Sequence, residues 1–233
     1  MPAGGDRAPR SLKPPADKSG DLNRQVRHSS TVSRLIDVHA SHQPQKPLEG
    51  WRSSCPPRSE SNLDRVSDHQ RTLVLLRHAK SAYPDGVADH DRPLAPRGKR
   101  EAGLAGDWLR ANLPAFDAVL CSTATRTRQT LACTGIDAPV RYVDRLYDAS
   151  PGMVIEQING AADDVSVLLV VGHEPTMSQL ALGLANPLTV NADAAERISA
   201  KFPTSAMAVL QLNGSWTDLE LGSVQLADFY VPR

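Results

Sequence analysis

Two short apolar runs, Thr72-Leu73-Val74-Leu75-Leu76 and Val167-Leu168-Leu169-Val170-Val171, constrain the fold of this chain more than any other feature. A strand with one face in water alternates apolar and polar residues, whereas a run without alternation has to be covered on both faces. Both runs are therefore expected inside a parallel sheet sandwiched between helices. Asp117–Cys121, Val140–Val143, Ala206–Leu212 and, more weakly, Ser223–Tyr230 read as further strands. Arg97–Asn112, Ser122–Thr134, Gly152–Asn159 and Pro175–Leu184 read as helices between them. Helical spacing puts Ala102, Ala105, Trp108 and Leu109 on one face of the first. Ser122 is placed to cap the second helix and Pro175 to open the fourth. Strands alternating with helices predict an α/β chain, three layers deep, with a mostly parallel sheet.

That pattern starts only at Arg71. The 233 residues carry 26 Lys+Arg and 26 Asp+Glu, but the first 70 hold 11 and 8 of these, about +3, which leaves the remainder about −3. Only 17 of the first 70 residues are hydrophobic, and Pro14-Pro15 and Pro56-Pro57 interrupt them. Such a segment buries too little apolar surface to offset chain entropy. Residues 1–70 are expected to be a disordered basic tail, and residues 71–233 the folded domain. Arg24, Arg27 and Arg34 would suit a docking arm, whereas Asp6, Asp17 and Asp21 argue against an organelle transit peptide.

A formal charge of zero argues against nucleic acid as a partner. The longest apolar run, Val167–Val171, is far short of a membrane span, and the first thirty residues lack the apolar stretch of a secretory signal. Cys55, Cys121 and Cys133 form no close pair, which fits reduced thiols and a cytoplasmic location. Nothing in the sequence sets the oligomeric state.

In parallel sheets ligands bind beyond the carboxyl ends of the strands. Three expected strands end there in polar groups: Arg77-His78, Ser122 followed by Arg126, and His173. Two guanidinium forks and two imidazoles at one edge suit a tetrahedral dianion. Neutral imidazole is also a competent nucleophile toward phosphorus. Arg126 and Arg128 lie about 200° apart around a helix, so only one of them can face such a pocket. A zinc site built from His78, His90 and His173 is the weaker alternative, because neither nearby cysteine has ligand spacing.

Leu75-Leu76-Arg77-His78-Ala79 resembles the Arg-His-Gly motif of the histidine phosphatase superfamily, which has the phosphoglycerate mutase-like fold. Ser122-Thr-Ala-Thr-Arg126-Thr-Arg-Gln-Thr130, Val171-Gly-His173-Glu-Pro175 and Asp91-Arg-Pro-Leu-Ala-Pro-Arg-Gly98 are similar to three further family segments. Together they span residues 72 to about 230 in the family's order. The resemblance implies a phosphatase in which His78 accepts the phosphoryl group. Arg77 and Arg126 would clamp the phosphate and His173 would complete the pocket. It implies neither metal nor other cofactor, since the arginines can carry the charge a magnesium ion would otherwise neutralise. Ala79 stands where the family has glycine, a departure expected to be tolerated. The general acid is less defined: Asp148, in Leu146-Tyr147-Asp148, is the nearest match, with Glu174 and Asp85 as rivals.

Twenty-one residues separate Arg126 from Asp148 and 24 separate Asp148 from His173, which leaves little chain for a lid. The loop Lys80–Pro96 is the one sizeable cover, and Tyr83, Asp85 and His90 on it are candidates to touch substrate. An open pocket of this kind is similar to the compact SixA-type members. It is expected to take phosphohistidine or an exposed phosphomonoester, on a protein or on a small molecule. A small-molecule phosphate-ester phosphatase of the same family, a mutase and a non-catalytic phosphate-binding module are the alternatives.

Overall fold

In the computed structural model both apolar runs are central strands, and their side chains divide between two cores. The model describes residues 70–233; the reading of the first 70 residues as a tail lies outside them, apart from Gln70, which begins β1. β1 (Gln70–Arg77) and β4 (Val167–Gly172) run parallel, with Leu75 opposite Val170. Leu73 and Leu75 point into one core while Val74 and Leu76 point into the other. Both faces are covered, and so neither strand alternates.

The six-stranded sheet has the order β3-β2-β4-β1-β5-β6, with β2 at Ala118–Ser122, β3 at Val140–Val143, β5 at Met207–Asn213 and β6 at Gln225–Tyr230. β1 to β4 are mutually parallel; β5 is antiparallel to both of its neighbours. One face is covered by α1 (Pro96–Asn112) and α2 (Thr125–Thr134), through Ala105, Leu109 and Leu131. The other is covered by α3 (Pro151–Asn159), α4 (Thr176–Leu184) and α5 (Ala192–Ala200), through Ile158, Leu180 and Ile198. This is the three-layer α/β/α arrangement with a mostly parallel sheet. No helix among the described residues is long and apolar enough to cross a membrane.

Two local expectations are corrected. Ser122 does not cap α2: it is the last residue of β2, and Ala124 holds the cap position. Pro175 precedes α4 as its cap and is not its first residue. Trp108 packs half-buried against the core that holds Ala105 and Leu109, its indole stacked on Tyr230 at 4.7 Å. The additional helix α5 is capped by the Asn191 side chain, which accepts from the Ala194 N–H.

α1 and α2 lie in unusually close contact. A Cβ at Gly106 would overlap the Thr134 carbonyl oxygen, and one at Gly98 would overlap that of Lys80. These two glycines let α1 settle against both α2 and the loop that follows β1.

Candidate active site

The carboxyl ends of β1, β2 and β4 deliver their polar residues to one place. His78 follows β1 directly; its N–H donates to the Gly172 carbonyl (3.0 Å) and its carbonyl accepts from the Ser205 N–H (3.2 Å). Its ring Nδ1 lies 2.8 Å from the Ala79 carbonyl oxygen. A carbonyl can only accept, so Nδ1 carries the proton and Nε2 is left as a bare lone pair. The Ala79 N–H donates to Thr130 Oγ1 (2.9 Å), whose own hydroxyl donates to the Arg126 carbonyl (2.6 Å). The segment after β1 is thereby fastened to α2. The Ala79 methyl is fully buried against Leu94 and Ala102, so it fills packed space beneath α1.

His173 follows β4. Its Nε2 lies 2.9 Å from the Ser122 hydroxyl, which also accepts from the Ala124 N–H at 3.4 Å. The rings of His78 and His173 are 5.2 Å apart between centroids and tilted by 53°. Burial lowers the pKa of His78 to about 4, with the charges of Arg126, Arg77 and Arg92 acting in the same direction against the Ala79 carbonyl. Burial likewise lowers His173 to about 3, helped by His78 and Arg126. Both rings are neutral at neutral pH.

Arg126 emerges from the first turn of α2 and is buried. Its Nη1 donates to the Asp89 carbonyl (2.7 Å) and its Nη2 pairs with Asp89 Oδ2 (3.1 Å). Arg77 donates from Nη1 to the Phe202 carbonyl (2.5 Å). Arg128, two residues on from Arg126, is exposed over the Tyr142 ring. Eight buried side-chain polar atoms lack a partner among the described residues. Five of them are here: Arg77 Nε, Arg92 Nε and Nη1, Arg126 Nε and His173 Nδ1. Buried polar groups are ordinarily satisfied. A cluster of guanidinium N–H groups and imidazoles is the complement of an oxyanion, and a tetrahedral phosphoryl group fits this donor set.

The expected acids are dispersed. Asp148 is exposed in the left-handed region (φ 51°), and its carboxylate has no hydrogen bond or ion pair among the described residues. Asp85 is exposed on the loop. Glu174 is half-buried and pushed upward by burial, but its oxygens accept from the Ser178 N–H (3.2 Å) and hydroxyl (2.7 Å). Of the loop residues, Tyr83 is exposed beneath the Arg92 guanidinium, which sits 4.0 Å from its ring centroid. His90 Nε2 lies 3.2 Å from Thr123 Oγ1. Among the described residues no group of three His, Cys, Asp or Glu side chains is arranged to hold a metal.

The motifs assign no role to three residues at the site. Asp89, in a 3-10 turn (Asp89–Asp91), pairs through Oδ1 with Arg92 Nη2 (2.6 Å) and accepts through Oδ2 from the Tyr147 hydroxyl (2.7 Å). Tyr147 stands edge-on to His173 at 5.4 Å. The Asp89/Arg92 pair carries a signal, the three-residue separation that suits ion pairs on a helical turn. Tyr147 carries none, since its partners lie tens of residues away.

Comparisons with known proteins point to one family. A family model for the histidine phosphatase superfamily (branch 1) matches residues 73–159. An uncharacterized protein of Mycobacterium tuberculosis is 70% identical over 158 residues, covering 68% of this chain and all of that protein. A solved structure of a candidate SixA phosphohistidine phosphatase from Nakamurella multipartitia is 42% identical with a TM-score of 0.64, covering 70% of this chain and 96% of that one. The Escherichia coli phosphohistidine phosphatase SixA is 26% identical over 149 residues, covering 61% of this chain and 86% of that protein.

Proposed function

Because the chain belongs to the histidine phosphatase superfamily, we propose that it hydrolyses phosphohistidine, or an exposed phosphomonoester, through a phosphoryl group carried on His78. The observation that carries this reading is the Nδ1–H bond to the Ala79 carbonyl, which leaves a neutral Nε2 among unpartnered guanidinium N–H groups.

In this reading Nε2 of His78 bonds to phosphorus while the bond to the leaving group breaks, the electron pair departing with that group. Arg77 and Arg126 hold the equatorial oxygens, whose charge grows in the transition state. His173 closes the pocket and is kept in place by Ser122. Water then attacks phosphorus, the P–N bond to His78 breaks, and inorganic phosphate leaves with the imidazole restored. Neither step calls on a metal or cofactor.

The distribution of acids supports the phosphohistidine choice. An alkoxide must be protonated as it leaves, and Asp148, exposed beside Tyr147, is the donor we retain for phosphomonoesters. A leaving imidazole that already carries a proton on its other nitrogen makes no such demand. The exposed stretch 83–89 is the rim of the pocket, an opening that admits a phosphoryl group displayed on a protein surface. The same relationship to phosphohistidine phosphatases supports this choice.

The test is rapid-quench labelling with a phosphohistidine peptide. An acid-labile, base-stable phosphoenzyme is expected in the wild type and absent in His78→Ala, with turnover lowered by about a hundredfold or more. Undiminished labelling in the variant overturns the assignment.

A further inference from the structure

Asp89 ties the rim of the site together, yet the proposed chemistry gives it no role. It joins three elements at once: its carbonyl and Oδ2 take Arg126 from α2, its Oδ1 takes Arg92 from the same loop, and its Oδ2 also receives the Tyr147 hydroxyl from the segment after β3. The Tyr147 hydrogen bond and the two arginine charges hold its carboxyl below the usual range. A group so held is ionised throughout the neutral range and cannot serve as the proton donor. Its side chain is nevertheless 56% exposed, while that of Arg126 is 6% exposed. Arg126 and His78 therefore form the floor, and Asp89 stands on the solvent side of them.

In-line displacement expels the leaving group away from the nucleophile, and so toward that solvent side. An alkoxide leaving past an ionised carboxylate meets like charge. An imidazole protonated at its free nitrogen meets a hydrogen-bond acceptor of opposite charge. We propose that Asp89 is a specificity-determining residue that favours a phosphoryl group carried on a protonated imidazole over one carried on an alcohol. The inference rests on the phosphohistidine reading and deepens it.

The electron count is plain. With the free nitrogen unprotonated, the ring would have to leave as an imidazolate. With it protonated, the P–N electron pair returns to the ring, which departs as neutral imidazole still holding its N–H. The Asp89 carboxylate favours the protonated form of the bound substrate, so more of the complex is reactive at a given pH. The charged and titratable groups around Asp89 are Arg92 and His90 on its own loop, Arg126 on α2, Tyr147 and Asp148 after β3, and His173 after β4.

The experiment compares wild type, Asp89→Asn and Asp89→Glu on a phosphohistidine peptide and on an aryl phosphate, with kcat and kcat/KM measured across pH. In Asp89→Asn the ratio of kcat/KM for the phosphohistidine peptide to that for the aryl phosphate is expected to fall by about tenfold. The alkaline fall of kcat with the peptide is expected to move to lower pH. Asp89→Glu, which keeps the charge, is expected to recover the ratio and the profile. A residue that merely holds Arg126 in place would depress both substrates alike with no movement of the profile. That result, with peptide turnover still dependent on His78, overturns the role of Asp89 alone. Absence of wild-type turnover on the peptide instead overturns the phosphohistidine reading, and the inference with it.

Discussion

The proposed attack on phosphorus requires a neutral histidine, and burial keeps His78 neutral at a cost that is felt at low pH. Both imidazoles of the pocket titrate near 6.5 when solvated and are lowered by burial, to about 4 for His78 and about 3 for His173. Between pH 6.5 and about 4 for His78, and about 3 for His173, the unfolded chain binds more protons than the folded one. The stability the two neutral rings share is therefore intact above pH 6.5 and lost as pH falls through that window. The melting temperature is expected to be level near neutrality and to drop steadily from pH 6.5 to 4. His173→Gln, which has no ring to protonate, should flatten part of that drop in a pH series of calorimetric scans; parallel curves would mean that the buried ring of residue 173 is not its source. A second residue stores strain beside the same loop. Ser205 is fully buried at φ 63° with its hydroxyl unpartnered among the described residues, while its N–H donates to the His78 carbonyl. Glycine at this position keeps that N–H and removes both penalties. Ser205→Gly is expected to raise stability by about 1 kcal/mol, read as a higher urea midpoint at unchanged slope.

The helices matter to the site chiefly through α2, which carries Arg126 and, one turn on, the Thr130 hydroxyl that holds the Ala79 N–H. α2 is located by α1, and the two touch where Gly106 meets the Thr134 carbonyl. A methyl at Gly106 has to push against backbone, which cannot yield as a flexible side chain would. Gly106→Ala is expected to cost about 1–3 kcal/mol and to weaken binding of inorganic phosphate, because α2 must shift with Arg126 on it. Gly103 is the control on the same helix: a Cβ there meets nothing closer than the Cys133 carbonyl at 3.9 Å. Gly103→Ala should gain about 0.5–1 kcal/mol from helix propensity and leave phosphate binding as it was. Denaturant titrations and calorimetry with phosphate separate the two outcomes. The pattern of apolar residues disclosed α1 well, since Ala102, Ala105 and Leu109 recur at helical spacing. It did not disclose α5, where only Ala194 and Ile198 are fully buried, nor the true start of α2, because β2 runs on through Ser122 and the helix opens at Thr125 with no side-chain cap to mark it.

For the molecule as a whole, parallel strands explain why so much of the site could be read from the sequence. A parallel sheet puts the carboxyl ends of β1, β2 and β4 on one edge, so three motifs far apart in the chain have to converge once the strands are recognised. The reversed direction of β5 could not be read in this way, because a fully buried strand shows the same apolar pattern in either sense. Asp89 and Tyr147 escaped for a related reason: their bond spans 58 residues and joins two irregular segments, with no periodicity to expose it. The site residues among those described run from Arg77 to His173, and the Mycobacterium tuberculosis relative aligns over its whole length with only 68% of this chain. We therefore expect a chain trimmed to Gln70–Arg233 to fold and to act alone. Its kcat/KM on an aryl phosphate should stay within about twofold of the full chain, a difference in barrier of less than about half a kcal/mol. Its melting temperature should likewise be unchanged. A loss of about tenfold or more, in a trimmed chain that melts as cooperatively as the full one, would make the first 69 residues part of the working site and would end the division of the chain at residue 70.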